Sequence, residues 1–204
     1  MIKKLLKVVC FIIVFTLLQY FAISLVGMIF SFIYRKDIDV FLTSNIFYNI
    51  TLITSILFTL LCIFILSKRV KFEKLSYKKI LLCFFIGLLF AFGFHLIKYL
   101  FFHVDKENFN ILLILSTGIL GPILEEMMFR GLIYNYLKEE NQKQGMLLTT
   151  LLFALSHTGL FNMLYAFILG IILIYLKERY TSLKAPISFH IGVNTMAILF
   201  TFFI

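Results

Sequence analysis

Apolar residues run through this chain in long blocks separated by short polar breaks. The block LLKVVCFIIVFTLLQYFAISLVGMIF has no polar face, so it lacks the alternation of a barrel strand and reads as a helix that is apolar all round. Blocks of this kind reach the roughly 17–25 residues that a helix needs to cross a hydrocarbon layer about 30 Å thick. Inside that layer only helices or closed barrels satisfy the backbone. Seven blocks are legible, at about 5–33, 46–67, 80–100, 109–137, 145–158, 160–176 and 186–204. The pattern therefore predicts an all-α, polytopic membrane bundle of about seven helices. The fifth block has 14 residues and is expected to stop short of the far face. The opening MIKKLLK has the basic head of a signal sequence, but the apolar run behind it exceeds an h-region of roughly 7–15 residues and has no small-x-small site. It is expected to be an uncleaved first span.

Composition agrees: 62% of the 204 residues are apolar, 14% are charged and the mean hydropathy is +1.03. A formal charge of +9 would point to nucleic acid in a soluble protein. Here the basic residues border the apolar runs, so the expected surroundings are membrane lipids and no nucleic-acid partner. If seven spans alternate, Lys3, Lys4, Lys7, Lys68, Arg69, Lys71, Lys74, Lys78, Lys79, Lys138, Lys143, Lys177, Arg179 and Lys184 fall on one side, against Arg35, Lys36 and Lys106 on the other. The positive-inside rule then puts the amino terminus in the cytoplasm and the carboxyl terminus outside a cell membrane. A composition rich in Phe, Ile and Lys suggests a bacterial source. Cys10, Cys62 and Cys83 lie within apolar blocks without metal-knuckle or redox spacing and are expected to be small buried hydrophobes. The chain shows no repeat or linker. It reads as one membrane domain in which spans one to three (1–108) carry no evident chemistry and residues 109–204 carry nearly all of it.

Within GPILEEMMFRG, Glu125, Glu126 and Arg130 stand where an unpaired ionisable group costs several kcal/mol, so each is by default functional. Glu126 and Arg130, at i and i+4, share a face and can pair; Glu125 is rotated by about 100° and is left for another partner. FALSH places Phe153 and His157 four apart, and SFHIGVN does the same for His190 and Asn194. Counting rise from the adjacent polar loops puts Glu125 and His157 each about 18 Å deep, with Asn194 at about 15 Å, Arg130 at about 10 Å and His190 at about 9 Å. A carboxylate and an imidazole at one depth can activate water as a general base, while a His and an Asn can hold an oxyanion. The same glutamate and two histidines could instead bind a divalent metal such as zinc, although no HExxH pair is present. Lys98, near an outer helix end, is expected to snorkel. His95 and His103 are assigned no role.

These three ordered motifs make residues 109–204 resemble the CAAX-prenyl protease and bacteriocin-processing family of intramembrane proteases, also called the Abi family. PILEEMMFRG is similar to its EExxxR motif, FALSH to its FxxxH motif and HIGVN to its third. The resemblance implies an endopeptidase acting on a membrane-associated protein or peptide, with its site on helices four, five and seven. It implies Glu125 and His157 as the water-activating pair, His190 and Asn194 as oxyanion stabilisers, and Glu126 with Arg130 as structural or substrate-orienting support. The family is divided on metal dependence. The preferred mechanism needs no cofactor; a metal-dependent one would use Glu125, His157 and His190. A non-catalytic role in bacteriocin self-immunity or peptide binding on the same fold is the alternative.

Overall fold

A computed structural model describes residues 1–33, 45–101 and 109–203. Arg35, Lys36, His103 and Lys106 lie outside the described residues. Seven helices occupy the places the apolar blocks predict: α1 Ile2–Ile33, α2 Asn45–Ser67, α3 Tyr77–Phe101, α4 Ile111–Lys138, α5 Gln142–Leu155, α6 Leu160–Tyr180 and α7 Lys184–Phe203. Six of them are long and apolar enough to cross a membrane, and no strand occurs among the described residues. The exception is α5, whose 14 residues rise only about 21 Å, in keeping with a block that stops short of the far face. The protein is a membrane helical bundle.

Side-chain capping sets two of the helix starts. Asn110 Oδ1 accepts the Leu112 amide at 2.9 Å to open α4, and Asn141 Oδ1 accepts the Gln144 amide at 3.0 Å to open α5. The helix α4 is not uniform. Two π-helical stretches, Ile114–Leu120 and Met127–Ile133, flank the α-helical turn Gly121–Glu126 that carries Pro122 and both glutamates. Proline lacks an amide donor and its ring crowds the carbonyl four residues back, so a wider turn before Pro122 relieves the conflict.

The centre of the bundle is α7. Half of its spanning window is buried, against 6% for α1, which lies at the lipid-facing edge. The helices α3 and α7 meet backbone to backbone: a Cβ on Gly87 would stand 2.1 Å from the Phe189 carbonyl oxygen, and one on Gly192 would stand 2.2 Å from that of Phe84. Ser188 Oγ donates to the Ile80 carbonyl at 2.6 Å along the same seam. Small residues let membrane helices approach in this way, where dispersion and interhelical hydrogen bonds replace the hydrophobic effect.

Contacts at the helix ends fix which loops share a side. Lys4 binds Glu139 at 2.9 Å, Lys138 binds Glu178 at 3.3 Å, and Ser182 Oγ donates to the Glu73 carbonyl at 2.9 Å. The start of α1, the α2–α3 loop and the α4–α5 and α6–α7 turns, which together hold the basic clusters, are therefore at one end of the bundle. Asn110 with Asn49 (2.9 Å) and the Phe109 and Phe202 rings (5.4 Å between centroids) mark the other.

Candidate active site

Glu126 and Arg130 are both wholly buried, and Arg130 Nη1 donates to Glu126 Oε1 at 3.0 Å, the pair that their spacing predicts. The guanidinium is held further by the Gly170 carbonyl, 3.3 Å from Nη2, and by the Phe153 ring, whose centroid lies 4.3 Å from Cζ. Gly170 makes that approach possible, because a side chain there would meet Thr150 and Phe153 as well as Arg130. A charge this deep is tolerated because it is paired, hydrogen-bonded and stacked at once.

Glu126 has a second role that local spacing does not reveal. Its Oε1 lies 2.9 Å from Nδ1 of His190, 64 positions further along on α7. A carboxylate oxygen accepts, so Nδ1 carries the proton, and in the neutral ring Nε2 has the free lone pair. Nε2 stands 3.8 Å from Oε2 of Glu125. Arg130, Glu126 and His190 thus form one buried, hydrogen-bonded line, and Glu125 stands half-exposed at a cavity just beyond its end.

His157 departs from its expected place. The fifth block is predicted to run through residue 158, whereas α5 ends at Leu155 and His157 sits in the turn beyond it. Ser156 ends the helix by donating its hydroxyl to the Phe153 carbonyl at 2.7 Å, and Gly159, at φ 83°, takes a backbone conformation that other residues rarely adopt. His157 Nδ1 lies 2.9 Å from the same Phe153 carbonyl, and its ring meets the Phe153 ring edge-on at 4.9 Å. A carbonyl only accepts, so Nδ1 of His157 is also the protonated nitrogen and Nε2 is left as a base. Phe153 in the FxxxH motif therefore serves two groups: its ring packs on Arg130, and its carbonyl sets the His157 tautomer.

Glu125, His157, His190 and Asn194 all line one cavity of about 440 Å³. Asn194 spends one amide hydrogen on the Thr117 carbonyl at 2.8 Å, in the first π-helical stretch of α4, and keeps a second donor. A second cavity, of about 540 Å³ and bounded by α1, α2 and α4, shares Glu125, Thr117, Ser156 and Asn194 with the first. Glu125 therefore stands where two openings meet.

Two expectations need correction. Spans one to three are expected to carry no evident chemistry, yet α3 contributes Phe94, His95 and Lys98 to this cavity, and α6 adds Asn162 and Tyr165, so the cavity is not lined by helices four, five and seven alone. The face of α3 that carries His95 and Lys98, at i and i+3, turns inward, with the His95 ring 5.6 Å from Phe200 on α7. The three cysteines are free, but only Cys83 is buried; Cys62 is partly covered and Cys10 is exposed on α1.

Glu125, His157 and His190 are the residues that a metal-dependent mechanism would use. Among the described residues no three His, Cys, Asp or Glu side chains are grouped closely enough to hold an ion. As arranged, these residues do not fit a three-ligand metal site.

A buried ion pair holds an imidazole near a carboxylate at a cavity, all within a membrane bundle, an arrangement of the kind that hydrolytic chemistry in a membrane requires. Comparison with known proteins agrees with that class. Residues 107–196 match the family model described as type II CAAX prenyl endopeptidase, Rce1-like, which bears out the resemblance over that segment. The chain is 29% identical over 115 residues to the "Putative membrane peptidase YdiL" of Bacillus subtilis (strain 168), and 32% identical over 96 residues to an "Uncharacterized 24.3 kDa protein" of Escherichia coli. The first match covers 50% of this chain and 47% of the relative, and the second 44% of each, so the chain spans less than half the length of these relatives. No solved structure matches the chain.

Proposed function

We propose that this chain is an intramembrane endopeptidase that hydrolyses a peptide bond of a membrane-associated protein or peptide, using Glu125 to activate water. The observation that carries the reading is the hydrogen-bonded line Arg130, Glu126, His190, which faces Glu125 across 3.8 Å at the cavity that His157 and Asn194 also line. The match to CAAX prenyl endopeptidases supports the same chemistry.

Water bound between Glu125 and Nε2 of His157 gives its proton to the carboxylate as its oxygen attacks the scissile carbonyl carbon. The carbonyl π electrons move to oxygen, and the free amide hydrogen of Asn194 stabilises that oxyanion, joined by His190 when Nε2 is protonated. The proton held by Glu125 then passes to the leaving amine as the C–N bond breaks. Glu126 and Arg130 touch no substrate in this scheme; they fix the His190 ring. The basic end of the bundle faces the cytoplasm, by the positive-inside rule.

The test compares the amino termini of membrane proteins from cells that express the native chain with those from cells that express Glu125→Gln. Gln keeps the size and polarity of Glu but cannot act as a base, and a loss of general-base catalysis of about 100-fold or more is expected. New amino termini should appear with the native chain and vanish with the variant. Termini that persist at equal abundance in Glu125→Gln sink the proposal; a biological effect retained without cleavage would favour a peptide-binding or immunity role. Cleavage is expected to survive chelation, and metal analysis of the purified protein checks that directly.

A further inference from the structure

One wall of the catalytic cavity carries polar groups that the hydrolytic scheme leaves unused. Lys98 lines it and has no carboxylate paired to it among the described residues, although it shares the cavity with Glu125. His95 and Tyr165 line it too, and Nε2 of the first and the hydroxyl of the second are enclosed without a hydrogen-bond partner. Buried polar atoms are paired in nearly all native structures, so two orphans on one wall call for an explanation. The aromatic frame holds them in place: Tyr165 stacks on Phe94 with centroids 3.8 Å apart, and the His95 ring stands edge-on to Tyr165 at 6.3 Å. Snorkelling to lipid accounts for a lone lysine at a helix end, but not for a lysine on the inward face of α3 beside two unpaired donors.

We propose that Lys98, His95 and Tyr165 form a subsite for a carboxylate of the peptide substrate, which selects substrates with an acidic group on one side of the cleaved bond. This rests on the peptidase reading and deepens it. A cation and two neutral polar side chains that can donate, brought to one cavity by α3 and α6, match an anion with two acceptor oxygens, and the cavity has room for a side chain as well as the reacting bond. Two sources supply a carboxylate: a Glu or Asp side chain within the peptide, and the peptide's own carboxyl terminus.

The test uses the full chain in zwitterionic nanodiscs and a fluorescent apolar peptide in three forms: amidated and neutral, amidated with one internal Gln→Glu change, and with a free carboxyl terminus. Binding and cleavage are measured separately. At least one acidic form is expected to bind about tenfold more tightly than the neutral form, as a charge-assisted hydrogen bond implies, and the form that does so identifies the source of the carboxylate. Lys98→Gln should abolish the preference and Lys98→Arg should keep it. Tyr165→Phe should reduce it without lowering Tm, because removing a hydroxyl that has no partner costs the fold nothing. Equal binding of all three forms, no binding at all, or a preference that survives in Lys98→Gln overturns the proposal. A preference without cleavage of any peptide leaves the subsite standing and removes the peptidase reading; cleavage without preference does the reverse.

Discussion

Arg130 shows most directly how single residues divide labour in this protein. It is a permanent charge with no exposed surface, and it survives because Glu126, the Gly170 carbonyl and the Phe153 ring all meet it. Removing one member of such a pair strands the other. Arg130→Met and Glu126→Gln are each expected to cost about 3–5 kcal/mol, and the double variant should lose less than the sum of the two, measured by thermal unfolding in detergent. Equal additive losses would mean that the two residues act separately. The spacing of Glu126 and Arg130 makes their pairing legible in the sequence, since four residues on a helix decide it. The bond from Glu126 to His190 is not legible in that way, because it depends on how α4 meets α7. The same limit hides the role of Lys98: from sequence alone, a lysine near a helix end has an exit to water and an exit to the interior, and only the rotation of α3 chooses between them.

Close approach governs the elements. Gly87 and Gly192 bring α3 and α7 into backbone contact, whereas a Cβ on Gly93, on the same α3, would meet nothing within 4 Å. Gly87→Ala and Gly192→Ala must push the helices apart, and each is expected to destabilise by roughly 1–3 kcal/mol or more, with a matching fall in cleavage because α7 carries His190 and Asn194. Gly93→Ala should be neutral or slightly stabilising and serves as the control. Gly159→Ala, at φ 83°, should cost about 1–3 kcal/mol and loosen the turn that holds His157. Hydropathy makes the places of all seven helices legible, since length and apolarity suffice for that. It does not reveal the two π-helical stretches of α4 or the early end of α5, which follow from a proline accommodated mid-rod and from local hydrogen bonds to Ser156.

At the scale of the whole molecule, the basic clusters gather at one end, as alternation of the chain through the bilayer requires. A version with Cys10, Cys62 and Cys83 replaced by Ser, and a single Cys at Gln142, is expected to react with an impermeant maleimide only after the cytoplasmic face is opened. A Cys at Phe109 should react from outside. The reverse pattern would invert the proposed orientation while leaving the site intact. The reciprocal glycine seam also bears on how the protein is made. On the ribosome α3 enters the bilayer early, yet the surface it must cover belongs to α7, which follows only after α4, α5 and α6. Until then α3 has a bare groove facing lipid, and the carboxylates of α4 have no His190 beside them. The line from Arg130 to His190 is therefore closed late in synthesis, so on the proposed reading a partly made chain sits in the membrane without a competent site.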